Sequence, residues 1–229
     1  LISLNSHAVH ECGSPHMTNS ADQHTEHGCE NLKETDFFYG DPRGDAPELS
    51  ARGSIKVGVR TLQLVNLDQL DILNYSELQP NPRYDRNLTV EVWYPAKLQV
   101  GETQITTYGD VLGHGVGNPE RPNLPFRFGG RAARNAEPDT NSQSLPLVII
   151  SHGHSGSRVM MTWLAENLAS KGYVVAAIDH TESTHADAGP ISSTLVHRPR
   201  DINFVIGSLA DISQKPGSFL AGIVDAGRT

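Results

Sequence analysis

Residues Gly153-His154-Ser155-Gly156-Ser157 follow the order of a G-x-S-x-G turn in all but the last position. In such a turn a sharp bend between a strand and a helix projects the serine as a nucleophile. Ser155 is therefore a candidate nucleophile. Ser157 is the departure, because small residues at both ends let the bend pass close to neighbouring strands. The pair His152-Gly153 offers a different chemistry. A turn at a helix N-terminus presents backbone N–H groups to a developing oxyanion. Gly153 and the backbone N–H of His154 are the candidates for that role. Asp179, His180, His185 and Asp187 follow near the next strand end. They are either acid–base groups or residues that cap turns and bind backbone amides.

A second set of chemically able residues stands far upstream. His7-x-x-His10-x-Cys12 recurs as His24-x-x-His27-x-Cys29. Six soft or borderline ligands at a repeated spacing could hold zinc or copper. The alternative is a His-rich solvated leader, and the spacing matches no familiar zinc module. No cofactor motif is present, and no cofactor is expected.

The elements that must position these residues follow from periodicity. Leu147–Ile150 is a short apolar run of the kind found in a strand covered on both faces. After the turn, Met160, Leu164 and Leu168 form one helical stripe with Val159 and Trp163 beside it, leaving Glu166 and Lys171 for solvent. Ser155 or Ser157 would cap that helix and Lys171-Gly172 would stop it. Tyr173–Ile178 is the parallel partner strand. The turn at 151–157 then lies at the carboxyl edge of a sheet, where open α/β sheets bind ligands.

Around this unit, Ser54–Leu64 and Leu88–Tyr94 read as neighbouring antiparallel strands. Pro95 ends the second, and a register change falls near Arg60-Thr61. Residues 65–85 read as a polar, turn-rich connection. Lys97–Ser144 reads as a long insertion in which Gly113-His114-Gly115 and the stretch from Pro125 to Gly130 either line a cleft or form a surface loop. His180–His197 reads as a loop, after which Arg198-Pro199 opens a second helix. Its stripe is Ile202, Val205, Ile206, Leu209 and Ile212, and Pro216-Gly217 ends it. Phe219–Val224 is one more short apolar run. This order predicts an α/β domain over residues 51–229, incomplete at its C-terminus, preceded by an irregular leader at 1–50.

Composition limits the partners. A net charge of −8 argues against binding a phosphate backbone, so no nucleic acid partner is expected. No apolar run approaches the roughly 20 residues of a transmembrane helix. Two cysteines allow one disulfide at most. The first residue is Leu, so a removed signal segment, and with it a secreted or periplasmic location, stays open.

The run SHGHSGSRVMMTWLAENLASKGYVVAAIDHTESTHAD resembles the third-to-fourth-strand segment of dienelactone-hydrolase-like and platelet-activating-factor-acetylhydrolase-like α/β-hydrolases. DAPELSARGSIKVGVRTL, YDRNLTVEVWYPA and RPRDINFVIGSL are also similar to that group, so the resemblance covers about residues 45–213. It implies the N-terminal portion of an α/β-hydrolase fold, with a mostly parallel sheet flanked by helices. It also implies hydrolysis of a small or lipid-like carboxylic ester by Ser, Asp and His in that chain order. The resemblance places an oxyanion-hole N–H on His154. It places the nucleophile elbow after the helix Pro199–Ser213, beyond Thr229, so that this chain carries the oxyanion segment without the triad and a second chain could supply the rest. The alternatives are a non-catalytic binding module of the same fold and metal binding through the leader.

Overall fold

The computed structural model describes residues 11–12, 31–38, 40–42, 45, 48–112, 124–139 and 144–229. Its central sheet is mixed. Strands β2 (Val57–Leu70) and β3 (Arg83–Lys97) form a long antiparallel hairpin, and β3 pairs antiparallel with β9 (Val174–Asp179). Strand β8 (Leu145–Ser151) lies parallel to β9 on its other side, and β10 (Val224–Asp225) lies parallel to β8. The short strands β6 (Ala133–Arg134) and β7 (Glu137–Pro138) attach to β2 and β3. A separate three-stranded sheet joins β4 (Thr106–Leu112) to β5 (Leu124–Gly130), with β1 (Glu11–Cys12) on the outer side of β5.

Alternation along the central strands divides the core in two. On one face Leu88, Val90, Val92 and Tyr94 of β3 join Leu147 of β8 and Val174, Ala176 and Ile178 of β9. Val205 and Leu209 of helix α2 (Ile191–Gln214) cover that face, with Leu220 and Ile223 beside them. On the other face Val57, Val59, Trp93, Val175 and Ala177 meet Ala165 and Ala169 of helix α1 (Thr162–Ala169) and Tyr108 of β4. Period-2 strands with both faces apolar require cover on both sides. The two helices and the β4–β5 hairpin provide it. The sheet is flanked by helices as expected from the sequence, with the antiparallel β2–β3 hairpin read at its start and the parallel pair β8–β9 beside it.

Several local expectations are corrected. Helix α1 begins at Thr162 with Met161 as its N-cap and no side-chain cap, and Ser157 Oγ instead donates to Asp110. Met160 is exposed and Glu166 is buried, reversing the predicted stripe by half a turn. The cause is a polar chain that the apolar pattern could not reveal. Trp93 Nε1 donates to Tyr108 Oη at 2.8 Å, Tyr108 Oη donates to Glu166 Oε1 at 2.9 Å, and Arg52 reaches Glu166 Oε2 at 3.2 Å. A carboxylate so satisfied can be buried where an unpaired one could not.

Pro95 does not end β3. It lies on the strand opposite Val57, and pairing continues to Lys97. The hairpin is also longer than read, and its register shift falls between Asn66 and Gln69, not at Arg60-Thr61. The presumed insertion after Lys97 contains β4 to β7. Within it the stretch from Pro125 to Gly130 is strand β5, whereas residues 113–115 lie outside the described residues. Finally, α2 starts at Ile191, with Pro199 inside it. A proline in the interior removes one hydrogen bond, which a helix of 24 residues packed on a sheet tolerates.

Of the proposed metal ligands, His7, His10, His24, His27 and Cys29 lie outside the described residues. The backbone of Cys12 pairs with Arg127 in the outer sheet. On the side of β8 away from β9, β10 pairs only with Leu145 and Pro146. Val148, Ile149 and Ile150 are half-buried.

Candidate active site

The carboxyl ends of β8 and β9 carry every candidate of the turn and the strand end that follows it. Ser151 ends β8, and the chain then bends through His152–Ser157. Gly153 and His154 are exposed, while His152 beneath them is buried. The carbonyls of the bend are tied from behind. His152 O accepts from Arg198 Nη1. Gly153 O accepts from Arg198 Nη2 at 3.0 Å, from His152 Nδ1 at 2.6 Å and from the N–H of Gly156 at 3.0 Å. No acceptor among the described residues takes the N–H of Gly153 or His154. In a trans peptide the N–H points opposite to the C=O. Both free N–H groups therefore face away from Arg198, on the open side of the turn.

The His152 ring fixes its own tautomer. Gly153 O can only accept, so Nδ1 donates to it and Nε2 is left to accept; the N–H of His180 points to Nε2 at 3.4 Å, and Arg198 Nη2 lies 3.3 Å from Nδ1 without donating to it. Burial pushes the His152 pKa down to about 4. The Gly153 carbonyl opposes this shift and the Arg198 charge adds to it. The ring is a neutral strut at physiological pH.

Beneath the turn runs a second chain of contacts. Ser151 Oγ lies 3.0 Å from His180 Nε2, and His180 Nδ1 lies 2.9 Å from Asp201 Oδ2. Arg86 grips the same carboxylate with Nε at 2.8 Å and Nη2 at 3.0 Å, and also donates to Tyr84 Oη and the Thr181 carbonyl. Arg86, His180 and Asp201 are all buried. Burial alone would raise the Asp201 pKa, but the His180 hydrogen bond and the Arg86 guanidinium hold the carboxyl below its usual range.

The Ser151–His180–Asp201 connectivity is that of a nucleophile, base and orienting acid. Three features set it apart from a working triad. Ser151 sits in regular strand and not on a sharp bend. His180 is sealed from solvent. Arg86 already neutralises the charge that Asp201 would lend to an imidazolium. The contacts join the ends of β8 and β9, the start of β3 and the middle of α2.

The remaining candidates have other roles. Ser155 has a φ of 60°, its N–H donates to Ser183 O at 2.9 Å, and no described imidazole bonds its Oγ. Asp179 accepts from the Arg158 N–H and pairs with the Arg158 guanidinium. Asp187 accepts from the Glu182 N–H at 2.7 Å, and His185 lies in the same loop. His154 Nδ1 lies 3.2 Å from Ser183 Oγ and 3.3 Å from Thr194 Oγ1. Sequence reasoning passed over Ser151, Arg86, Asp201 and Arg198. The one available signal for the three charged ones was charge beside the apolar stripe of a helix or strand. Among the described residues no group of three metal-ligating side chains is assembled.

Residues 128–196, which hold β8, the turn, α1 and β9, match the family profile of platelet-activating factor acetylhydrolase, isoform II. Among solved structures, the chain is similar to a ferulic acid esterase from Streptomyces cinnamoneus at 26% identity and a TM-score of 0.47. That match covers 77% of this chain and 52% of the esterase, so the chain spans about half the length of that protein. The profile match makes the segment 128–196, with its order of strand, turn, helix and strand, similar to the platelet-activating factor acetylhydrolases.

Proposed function

We propose that this chain supplies the oxyanion-binding half of a serine carboxylic-ester hydrolase acting on a small or lipid-like ester. The observation that carries the reading is the pair of unclaimed N–H groups at Gly153 and His154, held at the carboxyl edge of the sheet. Such groups stabilise the oxyanion of a tetrahedral intermediate, because the charge appears where donors are already aimed and no dipoles need to reorganise. The nucleophile, its base and its acid come from sequence outside these 229 residues, on the same or a second polypeptide. Strands pairing with the outer side of β8 would come with them.

The second reading makes Ser151 the nucleophile, on the strength of its 3.0 Å contact with His180 and the 2.9 Å contact from His180 to Asp201. One assay separates the two. Purified chain is expected to hydrolyse p-nitrophenyl acetate no faster than buffer. Turnover that disappears in Ser151→Ala would install the second reading. Turnover that disappears in Ser155→Ala would restore the G-x-S-x-G assignment.

A further inference from the structure

We propose that Arg198 is the positioning residue of the oxyanion-binding turn, a role that rests on the ester-hydrolase reading for its purpose but not for its geometry. Arg198 projects from the second turn of α2 and reaches both carbonyls of the bend, His152 O through Nη1 and Gly153 O through Nη2 at 3.0 Å. The same Nη2 donates to Ser183 Oγ at 2.7 Å, which ties the fork to the loop after β9.

The planar guanidinium fixes two successive peptide planes at once. Each plane carries one of the free N–H groups on its far side: the His152 carbonyl shares its plane with the Gly153 N–H, and the Gly153 carbonyl with the His154 N–H. Gly153 O has further donors in His152 and Gly156, but Arg198 is the one partner of His152 O among the described residues. The plane that aims the Gly153 N–H therefore depends on Arg198 most. Glycine at 153, with no side chain and nothing near its Cβ position, cannot hold that plane by packing. A lysine at 198 would keep the charge yet place one point donor where two fixed directions are needed.

The test is backbone NMR on the full 229-residue chain. In the wild type the Gly153 and His154 amides are expected to show order parameters near 0.85, the value of rigid backbone. In Arg198→Met, which keeps the aliphatic stem, that of Gly153 should fall below about 0.6, and that of His154, whose plane keeps the His152 and Gly156 donors, should fall less, while α1 and β9 stay rigid. Arg198→Lys should restore His154 more than Gly153. If Arg198→Met does not fold, the Arg198→Lys asymmetry alone decides. Equal order at Gly153 and His154 in wild type and Arg198→Lys would then overturn the proposal, as would unchanged order in a folded Arg198→Met.

A second arm adds methyl p-nitrophenyl phosphonate, a stable anionic mimic of the tetrahedral intermediate. Wild-type amide shifts at Gly153 and His154 should need at least about tenfold more ligand in Arg198→Met, since misplacement by an ångström costs up to about a hundredfold. If order depends on Arg198 but the phosphonate shifts neither amide, the clamp stands and the ester-hydrolase reading fails.

Discussion

Arg86→Met is expected to lower the unfolding free energy by about 3–5 kcal/mol, the cost of removing one partner from a buried ion pair. The loss comes less from the missing attraction than from the Asp201 carboxylate left behind, which is buried and retains only the His180 contact. Arg86 also serves the Tyr84 hydroxyl and the Thr181 carbonyl, so three acceptors lose a donor together. For a chain of this size the change corresponds to a melting shift of roughly 10 °C. Asp201→Asn should cost a similar amount, and the double variant Arg86→Met/Asp201→Asn much less than the sum, because the two share one interaction. Urea unfolding of the four proteins measures this. Additive losses, or a single-variant loss under about 1 kcal/mol, would mean that the pair does not hold the strand ends together.

The second large effect is acid lability centred on His152. Its pKa is about 4 in the folded chain against 6.5 for the unperturbed ring. Between those values the unfolded chain takes up a proton that the folded chain refuses. The stabilisation is therefore complete above about pH 6.5, declines as the pH falls through the window, and is gone below about pH 4. The amount lost approaches about 3 kcal/mol. Burial lowers the pKa of His197 as well, so both rings act in the same direction. His152→Asn keeps an amide nitrogen near the Nδ1 position and removes the titration. The difference in stability between wild type and His152→Asn, followed by urea unfolding from pH 7 to pH 4, should shrink as the pH falls. A pH-independent difference would show that the folded chain takes up a proton on His152 as readily as the unfolded chain does.

What the sequence revealed and what it concealed divide along physical lines. The parallel pair β8–β9 with α1 between them was legible because apolar runs, a Gly stop and a short polar turn each have a single reading at that length. The faces of β3 were legible for the same reason: Leu88, Val90, Val92 and Tyr94 fall in one core and Trp93 in the other. The inward turn of Glu166 was not legible, because its partners Arg52 and Tyr108, and Trp93 behind Tyr108, come from three distant segments. The start of α2 was missed because Pro199 reads as a first-turn residue, although the helix opens eight residues earlier. The turn at 152–154 could be singled out from its residue types as a candidate site. The guanidinium behind it could not, since Arg198 is 45 residues away from the carbonyl of Gly153.

The most direct test of the oxyanion assignment is a titration of the 229-residue chain with methyl p-nitrophenyl phosphonate, followed by the amide proton shifts of every assigned residue. Charge-assisted hydrogen bonds to an anionic oxygen draw amide protons downfield. Saturable downfield shifts are expected to concentrate at Gly153 and His154, with Ser155 and Gly156, whose N–H groups are already bonded to Ser183 O and Gly153 O, changing little. Shifts centred elsewhere, or none at Gly153 and His154 at saturating ligand, would contradict the assignment.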